Sequence, residues 1–243
     1  MYYILLVCII IIIILILFYN KQNENFNNNF KINKTYVINL DSRKDRLQSI
    51  DKDLKKINLE YERFSACDGK KIEIYSKDID KYFDKNNKLT PGQIGCALSH
   101  IKIWEKAIKD NNKYTLVLED DAIIPSNFWK KINNLDIKKF KLLFLQLSNI
   151  KCKKKKKNLY YPIKDKGNWG TTAYIIHNNF AKKILKSKIN SPIDVHLSNF
   201  YDNDVLLVYP NIIKPNFDSF SNLWGGTPNK NMIKKFNSIK IYK

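Results

Sequence analysis

The first strongly patterned segment of the chain is a β-rich run, Thr35-Tyr36-Val37-Ile38-Asn39-Leu40. Asp41-Ser42 then offers helix caps, and Leu47, Ile50, Leu54 and Ile57 recur at helical spacing. This predicts a strand followed by a helix over 43–57. Tyr61 to Ala66 predicts a second strand, ending at the turn signal Asp68-Gly69. Strand, helix, strand is a βαβ opening, which favours a parallel sheet and the α/β class. Thr90-Pro91-Gly92-Gln93 predicts a sharp helix start, with Thr90 as cap, Pro91 in the first turn and Gln93 completing a capping box. Ile94, Leu98, Ile101 and Ile108 share one face of that helix, beside Ala97 and Trp104. Tyr114 to Leu118 is apolar enough for a buried strand, and it runs directly into Glu119-Asp120-Asp121. Further strands are predicted over 142–147, 170–177 and 205–208, with a helix over 180–188. The lysine run from Lys151 to Lys157, broken by Cys152, reads as a solvated loop, and the tail from Lys214 as a covering arm.

Ahead of this pattern lies a different one. Tyr2 to Phe18 is an unbroken apolar stretch of 17 residues, roughly 26 Å as a helix, the short edge of a membrane span. Tyr2, Tyr3 and Tyr19 sit at its ends as interfacial aromatics do. It lacks the basic start and small-residue cleavage site of a signal peptide. The expected organisation is a single-pass membrane anchor over 1–19, an Asn-rich linker over 20–33 and one domain over 34–243. Two cues disagree on the side of the membrane. The basic residues that follow the span favour a cytoplasmic domain, whereas the sequon Asn33-Lys34-Thr35 points to a lumenal one.

Composition narrows the classes. At 44% hydrophobic and 13% aromatic residues the chain can fill a core, which excludes a disordered protein. Lys and Arg number 43 against 23 Asp and Glu, a formal net charge of +20. Lys, Asn and Ile are heavily used throughout, as A/T-biased codon usage would produce. An attraction to anionic partners is the other reading of the charge. Cys8, Cys67, Cys96 and Cys152 form no CxxC pair and predict neither a zinc site nor a disulfide framework. No Gly-rich phosphate loop is present, which speaks against a nucleotide hydrolase.

The candidate chemistry centres on Glu119-Asp120-Asp121. In open α/β sheets ligands bind outside the carboxyl ends of strands. Adjacent carboxylates repel and raise one another's pKa unless a cation is present, and such oxygen ligands suit Mg²⁺ or Mn²⁺. In an extended segment Glu119 and Asp121 point the same way, so both could reach one metal. His100 and Ser99 fall inside a helix, where a structural hydrogen bond is expected of His100. Trp169 and Tyr174 read as core residues.

Taken in order, these segments resemble glycosyltransferase family 25, which holds bacterial lipooligosaccharide β-galactosyltransferases and animal collagen galactosyltransferases. The resemblance rests on Tyr36 to Arg46, Phe64 to Gly69, Leu89 to His100, Leu118 to Asp121, Trp169 to Tyr174 and Pro192-Ile193-Asp194, and covers about 35–210. The most specific pieces are the helix motif Leu89 to His100 and the acid triplet about 20 residues beyond it. The resemblance implies a GT-A-like nucleotide-binding sandwich with a mostly parallel central sheet. It implies Glu119, Asp120 and Asp121 on Mn²⁺ or Mg²⁺. It also implies Asn39, Arg43, Arg46, Asp68 and Asp120 around a UDP-sugar donor. Asp194 is implied as the general base for an inverting transfer, with His196 nearby as a substitute. The implied reaction moves a hexose, galactose first among them, to a saccharide or glycoprotein hydroxyl. Nucleic acid is not an expected partner, because a phosphate-backbone binder has no use for three adjacent acids. The rival reading is a catalytically inactive basic glycan- or nucleic-acid-binding protein on a degenerate transferase fold.

Overall fold

A computed structural model describes residues 10–12, 30–164, 169–217, 234 and 237–242. Apart from residues 10–12, the expected anchor lies outside the described residues, as does most of the expected linker. Among the described residues no helix is long and apolar enough to cross a membrane.

The opening follows the sequence pattern. Strand β1 (Lys34–Asn39) leads into helix α1 (Lys44–Lys56) and then strand β2 (Glu62–Ser65), which pairs parallel to β1 with Ile38 beside Phe64. Residues 69–82 fold as a 3-10 segment (Gly69–Tyr75) and helix α2 (Ser76–Tyr82). Helix α3 (Pro91–Lys109) starts with the predicted capping box: the Gln93 N–H donates to Thr90 Oγ1, and the Thr90 N–H donates to Gln93 Oε1. A cap of this kind is worth about 1 kcal/mol. Strand β3 (Tyr114–Glu119) then lies parallel to β1 on its other side.

Beyond β3 come a two-residue strand β4 (Ala122–Ile123), helix α4 (Phe128–Asn133), and strands β5 (Leu142–Phe144), β6 (Ile150–Lys156), β7 (Leu159–Pro162) and β8 (Ala173–His177). Helices α5 (Asn178–Ile184) and α6 (Ile193–Ser198) and strands β9 (Val205–Val208), β10 (Lys214–Pro215) and β11 (Ile239–Tyr242) complete the described chain. Among the described residues nine strands make one sheet, in the order β11-β6-β7-β9-β5-β8-β3-β1-β2.

Three expectations are corrected here. The sheet is mixed rather than mostly parallel, because β8 runs antiparallel to both of its neighbours, β3 and β5, and β7 to both of its own, β6 and β9. An apolar run buried on both faces reads the same in either direction, so its sequence does not encode its sense. The lysine run is a strand of the β6–β7 hairpin rather than a loop. Cys152 is fully buried there, while the lysines from 153 to 155 face solvent. The tail does not simply cover the domain either: β10 pairs antiparallel with β4, and β11 pairs parallel with β6.

Alternation within the apolar strands divides the core in two. Tyr36, Ile38, Val117, Tyr174 and Ile176 face α3, α5 and α6, packing with Leu98, Trp104, Phe180 and Leu197. Val37, Leu116, Leu118 and Ile175 face α1 and α4, packing with Ile50, Leu54, Phe128 and Ile132. The result is a three-layer α/β/α sandwich. Each fully buried large side chain contributes about 1.5–3 kcal/mol.

Candidate active site

A cleft of about 730 Å³ opens at the carboxyl ends of β1, β2 and β3, the place where open α/β sheets take ligands. Arg46, Asp68, His100, Glu119, Asp120 and Asp121 all line it. One wall is the start of α3, which approaches the turn after β2 closely enough to require glycine on both sides. A Cβ on Gly95 would stand 2.4 Å from the Cys67 carbonyl oxygen, and one on Gly69 would stand 2.4 Å from that of Pro91.

The three adjacent acids have separate surroundings. Asp120 is 9% exposed and engaged at both oxygens. Arg46 donates to Oδ1 at 2.9 Å and Asn39 Nδ2 to Oδ2 at 2.7 Å. Asn39 is itself fixed, donating to the Arg43 carbonyl at 2.9 Å and accepting from Arg63 Nε at 2.9 Å. Burial raises the Asp120 carboxyl above its ordinary value, against the pull of Asn39 and Arg46. Glu119 accepts at Oε1 from Thr171 Oγ1 at 2.6 Å, with His100 Nε2 at 3.3 Å from the same oxygen. Burial works against its charge, yet these hydrogen bonds prevail and hold it below the usual range. Asp121 lies the other way: burial, then the neighbouring Glu119 charge, push its carboxyl up to about 7. Its Oδ1 is buried and has no hydrogen-bond partner among the described residues. The backbone holds it in place, because the Asp121 carbonyl accepts from the Asn216 N–H at 2.7 Å, next to the β4–β10 pair.

The other expected site residues divide. Asp68 lines the cleft and caps the 3-10 segment by accepting from the Lys70 N–H at 2.9 Å. Arg43 turns to Asp45, 2.7 Å away, and lies within electrostatic range of Asp120 and Asp121. Asp194, expected in a loop, sits in the first turn of α6 and accepts from the Gly170 N–H at 3.1 Å and the Val195 N–H at 2.8 Å. Burial raises its carboxyl, and the Glu119 charge adds to the effect. His196 faces the interior: it is 3% exposed, its Nε2 is 3.1 Å from Ser187 Oγ, its ring packs on Phe200, and burial lowers its pKa.

Reading the sequence residue by residue did not single out Thr171, Cys96 or the use of Arg46 as the partner of Asp120. Thr171 and Cys96 stand inside quoted motifs, which was their only signal. Cys96, His100 and Glu119 bring a sulfur, a ring nitrogen and a carboxylate oxygen within 4.8 Å of one another. Burial and the charges of Glu119, Asp194 and Asp121 drive the Cys96 thiol well above its ordinary value.

The chain matches glycosyltransferase family 25, described as an LPS biosynthesis protein family, over residues 32–197. It belongs to that family. All six cleft residues named above and Asp194 fall inside the matched segment. A Haemophilus influenzae protein that carries a glycosyltransferase name is 30% identical over 183 residues, covering 70% of this chain and 63% of that protein. The lipooligosaccharide biosynthesis protein lic2B of the same species is 28% identical over 73% of this chain and 74% of its own. Procollagen galactosyltransferase 2 of Homo sapiens is 27% identical over 72% of this chain, and the match spans 31% of the human protein. This family 25 chain thus spans less than two thirds of the first of these relatives and about a third of the human one.

Proposed function

We propose that the chain is a metal-dependent glycosyltransferase that moves a hexose, read as galactose, from a UDP-sugar to a saccharide or glycoprotein hydroxyl with inversion. Family 25 membership supports sugar transfer, and the names of the lipooligosaccharide and procollagen relatives support the sugar and the two acceptor classes. The observation that carries the metal reading is the pair Glu119 and Asp121. A buried carboxylate oxygen without a hydrogen-bond partner among the described residues stands beside a second carboxylate, an oxygen donor set that fits Mg²⁺ or Mn²⁺. Glu119 and Asp121 would hold the ion, and Asp120 would act by fixing Arg46 and Asn39 at the cleft. A divalent ion bound there would offset the charge that grows on the departing nucleoside diphosphate. Arg46 offers a positive guanidinium to the phosphates, and Asp68 an acceptor for a ribose hydroxyl. Asp194, its affinity for a proton raised, is the base that takes the acceptor hydroxyl's proton, while His196 points into the core. The apolar run over 1–19 would tether the domain to a membrane.

Calorimetric titration of the full chain in detergent with UDP, with and without Mn²⁺, tests this reading. UDP binding that requires Mn²⁺ and falls at least tenfold in Asp121→Ala is expected. Metal-independent binding, or none, would favour the inactive binding protein.

A further inference from the structure

His100 completes a buried chain of hydrogen-bonding groups behind the cleft. Trp104 Nε1 lies 2.9 Å from the Tyr174 hydroxyl, the hydroxyl 2.8 Å from His100 Nδ1, and His100 Nε2 3.3 Å from Glu119 Oε1. Trp104 and Tyr174 are fully buried and His100 is 1% exposed, so these groups must satisfy one another. The polarity of the chain follows from its far end. An indole N–H can only donate, so the Tyr174 oxygen accepts from Trp104. The single hydroxyl proton then goes to His100 Nδ1, its one remaining partner among the described residues. With Nδ1 accepting, the neutral ring carries its proton on Nε2, and that proton faces Glu119 Oε1. Thr171 donates to the same oxygen. Oε1 is thereby held by two donors, in a residue that lines the cleft.

We propose that Trp104, Tyr174 and His100 are positioning residues that fix the His100 tautomer and, through it, the orientation of the Glu119 carboxylate. On this assignment the Cys96–His100–Glu119 grouping is not a zinc site, because the ring nitrogen it would need already bears a proton. The effect on metal affinity rests on the donor-site reading above. The tautomer does not.

The chain contains three histidines, so long-range nitrogen–proton NMR of the metal-free full chain can resolve the His100 ring, assigned by its loss in His100→Gln. A protonated Nε2 and an unprotonated Nδ1 are expected, with a mixture of tautomers in Tyr174→Phe. A protonated Nδ1 in the unaltered chain would overturn the proposal. Mn²⁺ affinity supplies the second readout. Loss of a group that orients a metal ligand costs about 10–100-fold, so Tyr174→Phe and His100→Ala should bind Mn²⁺ at least tenfold more weakly. His100→Gln, which places an amide N–H near the Nε2 position, should recover most of that loss. Weakened folding in Tyr174→Phe with unchanged Mn²⁺ affinity would mark the chain as merely structural. A near-ultraviolet thiolate–Co²⁺ absorption abolished by Cys96→Ser and also lost in His100→Gln would show that grouping holding a metal through the ring and would overturn the proposal. Failure of the unaltered chain to bind Mn²⁺ would sink the donor-site reading and the affinity effect with it, while the ring-nitrogen result would stand.

Discussion

Asp121 titrates in the neutral range in the folded protein, at about 7 against 3.8 for an ordinary aspartate. A carboxyl whose pKa is raised by folding binds more protons folded than unfolded, so its contribution to stability is fully present below about pH 4 and is lost as pH rises through 7. The metal-free protein should therefore gain stability as pH falls from 8 to 5. Thermal unfolding should show a rise in Tm at about 2–4 °C per kcal/mol for a domain of this size, and Asp121→Asn should flatten the profile. Asp120 is raised by burial as well, but it differs from Asp121 in having a partner, the Arg46 guanidinium of a buried ion pair. Arg46→Met should cost about 3–5 kcal/mol in denaturant unfolding, because it strands that carboxylate. A loss below 1 kcal/mol would show that Asn39 alone suffices. The acid triplet was plain in the sequence, but the turn that takes Asp120 and Asp121 out of the extended strand was not. Nor was the triplet's division of labour, because Arg46 lies 74 residues from Asp120 and Thr171 lies 52 from Glu119. Nothing local says which carboxylate meets which partner.

At the scale of elements, the helix motif carries more than its own fold. Gly92 and Gly95 in the first two turns look like a weakness, since glycine costs a helix about 1 kcal/mol relative to alanine. Helix propensity alone would make Gly95→Ala stabilising. The packing predicts the reverse: the new Cβ meets backbone atoms of Cys67 and Gly69, and overpacking of this kind costs about 1–3 kcal/mol. Gly95→Ala should lower both stability and UDP affinity, measured by denaturant unfolding and calorimetry. The strand–helix–strand opening, the α3 capping box and the β3 strand could be read directly, because caps, helical spacing and apolar runs are local signals. The sense of β8 and the pairing of β4 with β10 could not, because they depend on which distant segment lies alongside. The short helices α4 and α6 escaped because six residues hold too few turns to show a period.

Across the whole molecule, charge and chemistry are separated. The lysine hairpin lies four to five strands from β3 along the sheet, about 19–24 Å at normal strand spacing. Replacing Lys153, Lys154, Lys155 and Lys157 with Gln should leave Mn²⁺-dependent UDP affinity within twofold, measured by the same titration. A larger loss would mean that the cleft draws on the long-range field of the protein. The chain also meets its cleft in an uneven order. It leaves β1, β2 and β3 at the cleft, but because β8 is antiparallel it passes the cleft before entering that strand, and Glu119 waits 52 residues for Thr171. At a synthesis rate of about 5–20 residues per second, that is roughly 3–10 s on the ribosome. Throughout that interval the largely apolar β3 has no partner on one edge, and an exposed apolar edge is where chains stick to one another. The strand that completes the cleft is therefore also the one that closes an adhesive edge of the nascent protein, and it arrives late.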